Sequence, residues 1–307
     1  MSERVLILGA GGFLGPWLVR RAVEAGRGQV AAASRRPEAG LHEGVRNQVE
    51  LHAFDATAPG EPVGAFLDRL QPTSIILNAA LSRIADCERD RTRAWTINSY
   101  LPHQVALWAG TYGARLVFVS TDLVFGSRAP AGNGFRESDV TGPLNVYGVS
   151  KVAGERAVLG LADDVLVVRL PLLFGPSGGL AAGASDGLVA AVEKGNVPGL
   201  FRDELRTPLD VRDAAAALIE CLELPIVGKL HVAGRERIDR FELGLRVLRA
   251  QGFDQERARA AVWETTRAEV GLAAERAEDV SLDAARAHRE LRTRLRPIDE
   301  ALDDDSA

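Results

Sequence analysis

Residues Arg4 to Gly26 constrain this chain more than any other stretch. Arg4 to Leu8 is a short apolar run, Gly9-Ala10-Gly11-Gly12-Phe13-Leu14-Gly15 follows it, and Trp17, Leu18, Ala22 and Val23 then recur at helical spacing. Strand, glycine loop and helix in that order give the glycines a meaning they lack alone. The loop reads G-x-x-G-x-x-G, with Gly11 as a further glycine. Small residues let the backbone approach a pyrophosphate, and the helix start offers N–H groups and the positive end of its dipole. The competing explanation is a turn that only packs helix on strand, and the repetition of the same order downstream weighs against it.

That repetition is regular. Gln29 to Ala33 is a second strand ending at Ser34-Arg35-Arg36, and Val49 to Phe54 a third ending at Asp55-Ala56-Thr57. Pro62 to Leu70 reads as a helix, and Ser74 to Leu77 as a buried strand ending at Asn78-Ala79-Ala80. A helix from about Ala94 to Ala109 carries Asn98, and Arg115 to Val119 leads into Ser120-Thr121-Asp122. The alternation predicts an α/β fold with a doubly wound parallel sheet covered on both faces. Ligands then bind outside the carboxyl ends of the strands, where Gly9, Ser34, Asp55, Asn78 and Thr121 fall. An acidic residue after the second strand would grip the ribose hydroxyls of NAD. The hydroxyl of Ser34 and the guanidiniums of Arg35 and Arg36 suit a 2′-phosphate better, which points to NADPH with NADH still possible. A solvated surface loop is the competing reading of these three residues.

Tyr147-Gly148-Val149-Ser150-Lys151 follows a Gly-, Pro- and Asn-rich loop from Phe125 to Asn145 that is long enough to cover a site. If the segment opens a helix, Tyr147 and Lys151 share one face. A phenol ordinarily titrates near about 10, and a neighbouring cation favours the phenolate, which makes Tyr147 a usable general acid or base. After the strand Val165 to Arg169 and the turn Pro171-Leu172-Leu173-Phe174-Gly175-Pro176 the alternation loosens. Leu180 to Asp186 reads as a mobile segment, Val211 to Glu223 and Arg240 to Gln251 as helices, and the closing Asp run as a solvated, frayed end. The expected division is a dinucleotide-binding core over residues 1–171, with 206–233 returning to it, and a substrate lobe of 172–205 and 234–307.

A net charge of -5 gives no basic field for nucleic acid. No apolar run approaches membrane-span length, and no signal segment precedes the first strand, so the expected location is the cytoplasm. Cys87 and Cys221 have no metal or redox spacing, the five histidines include no pair at ligand spacing, and no metal is expected.

Taken together, Gly9–Gly15, Asn78-Ala79-Ala80, Ser120-Thr121-Asp122, Tyr147–Lys151 and the Pro171–Gly175 turn resemble the extended short-chain dehydrogenase/reductase family, whose fold is of the Rossmann type. The dTDP-4-dehydrorhamnose reductase branch is the nearest likeness. Ser120-Thr121-Asp122-Leu123-Val124-Phe125 is similar to its S-T-D-Y-V-F, and Pro143-Leu144-Asn145-Val146-Tyr147-Gly148 to its P-L-N-x-Y-G. Arg206-Thr207-Pro208 and Val280-Ser281-Leu282-Asp283 resemble its later landmarks. The resemblance implies that Tyr147 donates a proton to a substrate carbonyl, that Lys151 lowers the phenol's pKa and holds the nicotinamide ribose, and that Thr121 bonds the same carbonyl. It places Gly9, Gly12, Phe13, Leu14 and Gly15 at the pyrophosphate and Asp55 and Ala56 at the adenine. Asn78, Ala79, Ala80, Asn98 and Pro171 then lie along the rest of the cofactor.

Thr121, Asp122, Leu123 and Arg206 are the implied substrate contacts. For Arg206 two readings stay open, a diphosphate contact or an anchor of its own loop to Asp210 or a neighbour. The implied activity is reduction of a carbonyl, foremost a nucleotide-linked 4-keto-sugar, by a homodimer. Two departures touch substrate choice: Leu123 stands where the branch has Tyr, and Glu275-Arg276-Ala277-Glu278-Asp279 replaces an R-P-x-D phrase. A reductase of a non-sugar carbonyl and a non-catalytic NADP-binding regulatory subunit therefore remain as alternatives.

Overall fold

A computed structural model describes residues 3–37, 41–58, 60–126, 129–130, 132, 134–177 and 183–304. Six strands alternate with helices over the first half: β1 (Arg4–Leu8), β2 (Gln29–Ser34), β3 (Glu50–Ala53), β4 (Ser74–Leu77), β5 (Arg115–Thr121) and β6 (Val165–Leu170). Shorter strands follow: β7 (Leu173–Phe174), β8 (Gly199–Phe201), β9 (Leu205–Arg206), β10 (Leu209–Asp210), β11 (Gly228–His231), β12 (Ile238–Asp239) and β13 (Trp263–Thr265). The central sheet has seven strands in the order β11-β6-β5-β4-β1-β2-β3, all parallel. The strand order reverses beside β1, between it and β4, and that is where a doubly wound sheet opens a ligand crevice.

Alternation along β1 explains the two covered faces. Val5 and Ile7 pack with Leu18, Val19, Ala214 and Leu218 on one side, from the helices Gly15–Glu24 and Val211–Glu220. Leu6 and Leu8 pack with Phe66, Leu101, Val105 and Val158 on the other, from Val63–Leu70, Leu101–Tyr112 and Val146–Leu161. Successive side chains of a strand point to opposite faces, so a strand buried on both faces must be apolar throughout, as this one is.

The helix expected from Ala94 to Ala109 is broken. A short helix Arg91–Trp95 passes through a π-turn, Thr96–Tyr100, into Leu101–Tyr112. Asn98 lies in that turn. A Cβ on Gly154 would stand 2.3 Å from the Asn98 carbonyl, so the bulge presses against the Val146–Leu161 helix where only glycine fits.

A second apolar cluster gathers Phe174, Leu188, Phe241, Leu248, Ile298 and Leu302. Around it β7 pairs with β10, β9 with β12 and β8 with β13. Just before the closing Asp run, Ile298–Asp303 is a helix whose Ile298, Ala301 and Leu302 are buried; of the run expected to be solvated, Asp303 and Asp304 are exposed, Asp304 pairs with Arg296, and 305–307 lie outside the described residues. Alternating charge hid three apolar positions on one face. The 125–145 loop is bound to the chain's later part, with Phe135 N–H donating to the Ser281 carbonyl (2.8 Å) and Asp283 N–H to the Phe135 carbonyl (2.7 Å). Of the segment expected to be mobile, 180–182 lie outside the described residues, and Ala184–Glu193 is a helix. Among the described residues no helix is long and apolar enough to cross a membrane.

Candidate active site

The glycine loop leaves β1 through Gly9, whose φ of +103° belongs to the left-handed half of backbone space. A Cβ there would stand 2.4 Å from the Ala79 nitrogen, because the chain leaving β4 crosses directly over it. Asn78 fastens that crossing by donating its amide to the Gly9 carbonyl (3.0 Å). Gly15 is equally tight, since a Cβ would meet the Ala10 carbonyl at 2.4 Å, whereas Gly12 has only the Gly9 oxygen, at 3.7 Å. Gly9 and Gly15 thus serve packing, and the room over Gly12 is open. The helix behind it begins at Leu14 with no side-chain cap and no acidic residue in its first turn.

Two further groups at this end fit a phosphorylated dinucleotide. Ser34 Oγ is buried at the end of β2 with no hydrogen-bond partner among the described residues, and Arg35 and Arg36 beside it are exposed. A buried hydroxyl without a partner costs stability unless a ligand satisfies it. Asp55 at the end of β3 accepts the amide (2.9 Å) and hydroxyl (2.7 Å) of Thr57. Burial would raise its pKa, but Thr57 and then Arg35 and Arg93 hold the carboxyl below its usual value. Ala56 and Ala79 are half-buried and Ala80 is exposed, while Pro171 is buried just beyond the end of β6. Phe13 turns toward the far lobe, where a Cβ on Gly183 would strike its ring at 2.3 Å. Asn98 is fully buried: its amide donates to the Leu81 carbonyl (3.0 Å) and the Ser150 hydroxyl (3.0 Å), and its oxygen accepts the Leu81 N–H (2.9 Å). Both of its N–H groups are therefore spent inside the protein, tying the loop after β4 to the helix of Tyr147.

Tyr147 and Lys151 do lie in one helix, 8% and 1% exposed. Gly148 permits this, because a Cβ there would stand 2.2 Å from the Leu123 carbonyl. Thr121, at the end of β5, is buried beside them, donates to Asp122 Oδ1 (3.1 Å) and accepts the Leu123 N–H (3.2 Å). The electrostatics differ from the expectation that Lys151 lowers the phenol. Burial pushes the Tyr147 hydroxyl above its ordinary pKa, Thr121 opposes this, and Asp122 and Cys87 add to it. The reason is geometric: the Lys151 ammonium donates to the Val119 carbonyl (2.6 Å) and sits 3.9 Å from the centre of the Phe118 ring. Burial drives that lysine down to about 7, with Glu155 one turn along opposing. Tyr147 is thus held protonated across the neutral range, as a proton donor must be.

On the substrate side, Leu123 packs with Cys87, Ala94 and Tyr147. Burial raises Asp122 to about 6, although Arg206 Nε lies 3.4 Å from its Oδ2. Arg206 also donates to Glu204 (3.1 Å) and to the Leu205 carbonyl (3.1 Å). Its partners are thus two neighbours in its own loop and Asp122 at the end of β5, while Asp210 is taken by Arg212 and Arg296.

This arrangement can be set beside known proteins. The pattern that defines the RmlD substrate binding domain matches residues 3–305. The chain belongs to that family. A dTDP-4-dehydrorhamnose reductase of Mycobacterium tuberculosis (strain CDC 1551 / Oshkosh) is 30% identical over 270 residues, covering 84% of this chain and 79% of that protein. Methionine adenosyltransferase 2 subunit beta of Xenopus tropicalis is 32% identical over 199 residues, 63% of this chain and 58% of that one. The crystal structure of the Bacillus anthracis dTDP-4-dehydrorhamnose reductase, determined in complex with NADP, superposes with a TM-score of 0.82 at 23% identity, over 99% of this chain and 98% of that one.

Within this RmlD-family fold, Glu204 and Arg240 were not singled out from the sequence, and Arg276 and Asn145 appeared there only as parts of quoted phrases with no role assigned. Glu204 is fully buried and bound by Arg206, by Arg276 (2.6 and 3.0 Å) and, at 3.6 Å, by Arg240. Burial alone would raise it, but the three guanidiniums bring its carboxyl down to about 2. Nothing local marks Glu204, Arg240 or Arg276, because the partners are far apart in sequence. Asn145 could have been found: an Asn directly before a helix is a cap signal, and its Oδ1 accepts the Gly148 N–H (2.9 Å).

Proposed function

We propose that this protein is an NADPH-dependent reductase of a nucleotide-linked 4-keto-sugar, with Thr121, Tyr147 and Lys151 as its catalytic residues. The observation that carries the reading is the placement of the Tyr147 phenol, buried beside Thr121 and on the same helix as Lys151, at the carboxyl ends of the central strands, where burial favours its protonated form. Bound NADPH would supply hydride to the carbonyl carbon. Tyr147 gives its proton to the carbonyl oxygen as negative charge develops there. Thr121 bonds the same oxygen, and Lys151 lies one turn behind the phenol to hold the nicotinamide ribose. Gly12, with the uncapped helix start, takes the pyrophosphate, Ser34, Arg35 and Arg36 the 2′-phosphate, and Asp55 and Ala56 the adenine. Gly9, Phe13, Leu14, Gly15, Asn78, Ala79, Ala80 and Pro171 form the walls. Asp122, Leu123 and Arg206 face the sugar side.

The named relatives support the substrate class, since the Mycobacterium tuberculosis protein is a dTDP-4-dehydrorhamnose reductase. We take 1–171 with 206–233 as the cofactor unit and 172–205 with 234–307 as the substrate lobe. We also take the chain to be a cytoplasmic homodimer, a reading supported by exposed Trp95, Tyr100, Leu107 and Tyr112 along one helical run. The regulatory alternative has its own support in the likeness to methionine adenosyltransferase 2 subunit beta. NADPH oxidation by the purified protein, measured against nucleotide 4-keto-sugars and simple ketones, separates the readings. Turnover with the former supports the proposal, turnover confined to simple ketones moves the substrate class, and none with either group favours a regulatory subunit.

A further inference from the structure

Two neighbouring residues of the far lobe reach the two ends of the active site by separate chains of contacts. The backbone carbonyl of Glu275 accepts the side-chain N–H of Asn145 (2.9 Å), whose other atom caps the helix carrying Tyr147. The next residue, Arg276, grips the buried Glu204 with two hydrogen bonds (2.6 and 3.0 Å). Glu204 accepts from Arg206 (3.1 Å), Arg206 lies 3.4 Å from Asp122, and Asp122 accepts the Thr121 hydroxyl (3.1 Å). One corner of chain thus reaches the first turn of the Tyr147 helix through one side chain and Thr121 through three.

We propose that the Glu275–Arg276 corner sets the relative positions of Tyr147 and Thr121, with Asn145 and Arg276 as its positioning residues. The idea rests on the reductase reading above. Three contacts stiffen the corner. Arg276 lies over the Phe201 ring at 5.2 Å, its carbonyl accepts Arg267 (2.7 Å), and the Leu205 N–H donates to the Glu278 carbonyl (2.8 Å). The helix start is held from its other side too, where Glu88 accepts the Val146 N–H (2.8 Å). Loss of the corner would therefore shift the phenol rather than unwind its helix. A misplacement on the order of 1 Å is enough to cost a large part of the rate in a reaction that depends on alignment.

Asn145→Asp separates the two duties of that side chain. Aspartate caps a helix as well as asparagine does, but it has no N–H for the Glu275 carbonyl and sets a negative charge against it. The expected result is a roughly tenfold fall in kcat, the worth of one buried hydrogen bond or slightly more. NADPH affinity, which the corner does not touch, should stay within about twofold of wild type, while the melting temperature should fall, because the Glu275 carbonyl loses its donor and faces a charge. Arg276→Lys, which keeps the charge but loses the two-pronged grip, should act in the same direction. An unchanged kcat in Asn145→Asp would overturn the proposal. So would a parallel fall of kcat, NADPH affinity and melting temperature, which would mean general loosening. If the wild-type protein turns over no nucleotide 4-keto-sugar, the reductase reading fails on its own account, and amide exchange still tests the corner. Asn145→Asp should speed exchange over 272–278 and leave the Gly148 amide protected, and unchanged exchange over 272–278 would show that the corner holds nothing.

Discussion

The cofactor end and the substrate end of this molecule are built on opposite rules. At the carboxyl ends of β1 and β2 the site consists of backbone brought close by glycine, a helix start without a cap, and a buried Ser34 hydroxyl without a partner among the described residues. Around β9 and β10 nearly every charge is already answered: Glu204 by three arginines, Asp210 by Arg212 and Arg296, Asp203 by Arg267. The first region is left incomplete for a ligand that always has the same shape. The second is completed by the protein itself, so under the proposed function selectivity there would come from how these loops are held as much as from free groups.

The largest expected effect tests the boundary between the two. Tyr147→Phe keeps the ring packed against Cys87 and Leu123 but removes the proposed proton donor. Turnover should fall by roughly two or more orders of magnitude while NADPH affinity stays nearly intact. Steady-state rates beside a direct NADPH titration check this, and a variant that keeps most of its turnover would remove the central assignment.

Asp122 is the exception to the paired rule on the substrate side, since its Oδ2 has Arg206 at 3.4 Å but no hydrogen bond among the described residues. Burial raises its pKa from 3.8 to about 6, so the folded protein binds a proton there that the unfolded chain releases. The linked stability is present in full below about pH 4 and is lost as pH rises through about 6, a swing on the order of 3 kcal/mol. Asp122→Asn lacks that titration. Urea unfolding of both proteins from pH 4 to 7 should show the wild type losing ground to the variant as pH rises, and parallel curves would mean that Asp122 keeps its ordinary pKa.

The cofactor end is tested by Arg35→Ala combined with Arg36→Ala. A charge-assisted contact to a 2′-phosphate is worth roughly 1.5–3 kcal/mol, so NADPH should bind about ten- to a hundredfold more weakly and NADH almost as before. Dissociation constants for both cofactors decide it. Equal losses, or a wild-type preference for NADH, would return Ser34-Arg35-Arg36 to being a solvated loop end.

The same contrast explains what could be read from the sequence. The alternation of strands and helices follows from local rules, because an apolar run, a glycine and a helical repeat each sit within a few residues of one another. The buried ion clusters were not legible, since Glu204 and Arg276 lie 72 positions apart and nothing near either announces the other. The π-turn at Asn98 was hidden because the contacts made there, the amide bonded to Leu81 and Ser150, are tertiary and lie inside an otherwise good helical pattern. The direction of the Tyr147 pKa was missed for a related reason: spacing on a helix says that Lys151 is near, not that it turns to the Val119 carbonyl.

The smallest effect belongs to the last described turn of the chain. Arg296 is mostly buried and reaches inward to Asp210 (3.0 Å) and Asp213 (2.8 Å), while its remaining arm pairs with Asp304, which is 64% exposed. The two inner contacts fix the guanidinium, so the outer carboxylate finds its partner already in place. Even so, an exposed pair gains little over hydration and is screened by salt. Asp304→Ala should therefore cost about 0.5 kcal/mol or less at low ionic strength, and nothing measurable in high salt. The Ile298–Asp303 helix should stay docked through Ile298, Ala301 and Leu302, with the amide protection of that segment unchanged. A loss several times larger, or one that persists in salt, would mean that charge rather than apolar burial fastens the chain end, and the rule drawn for the substrate side would then extend to its rim.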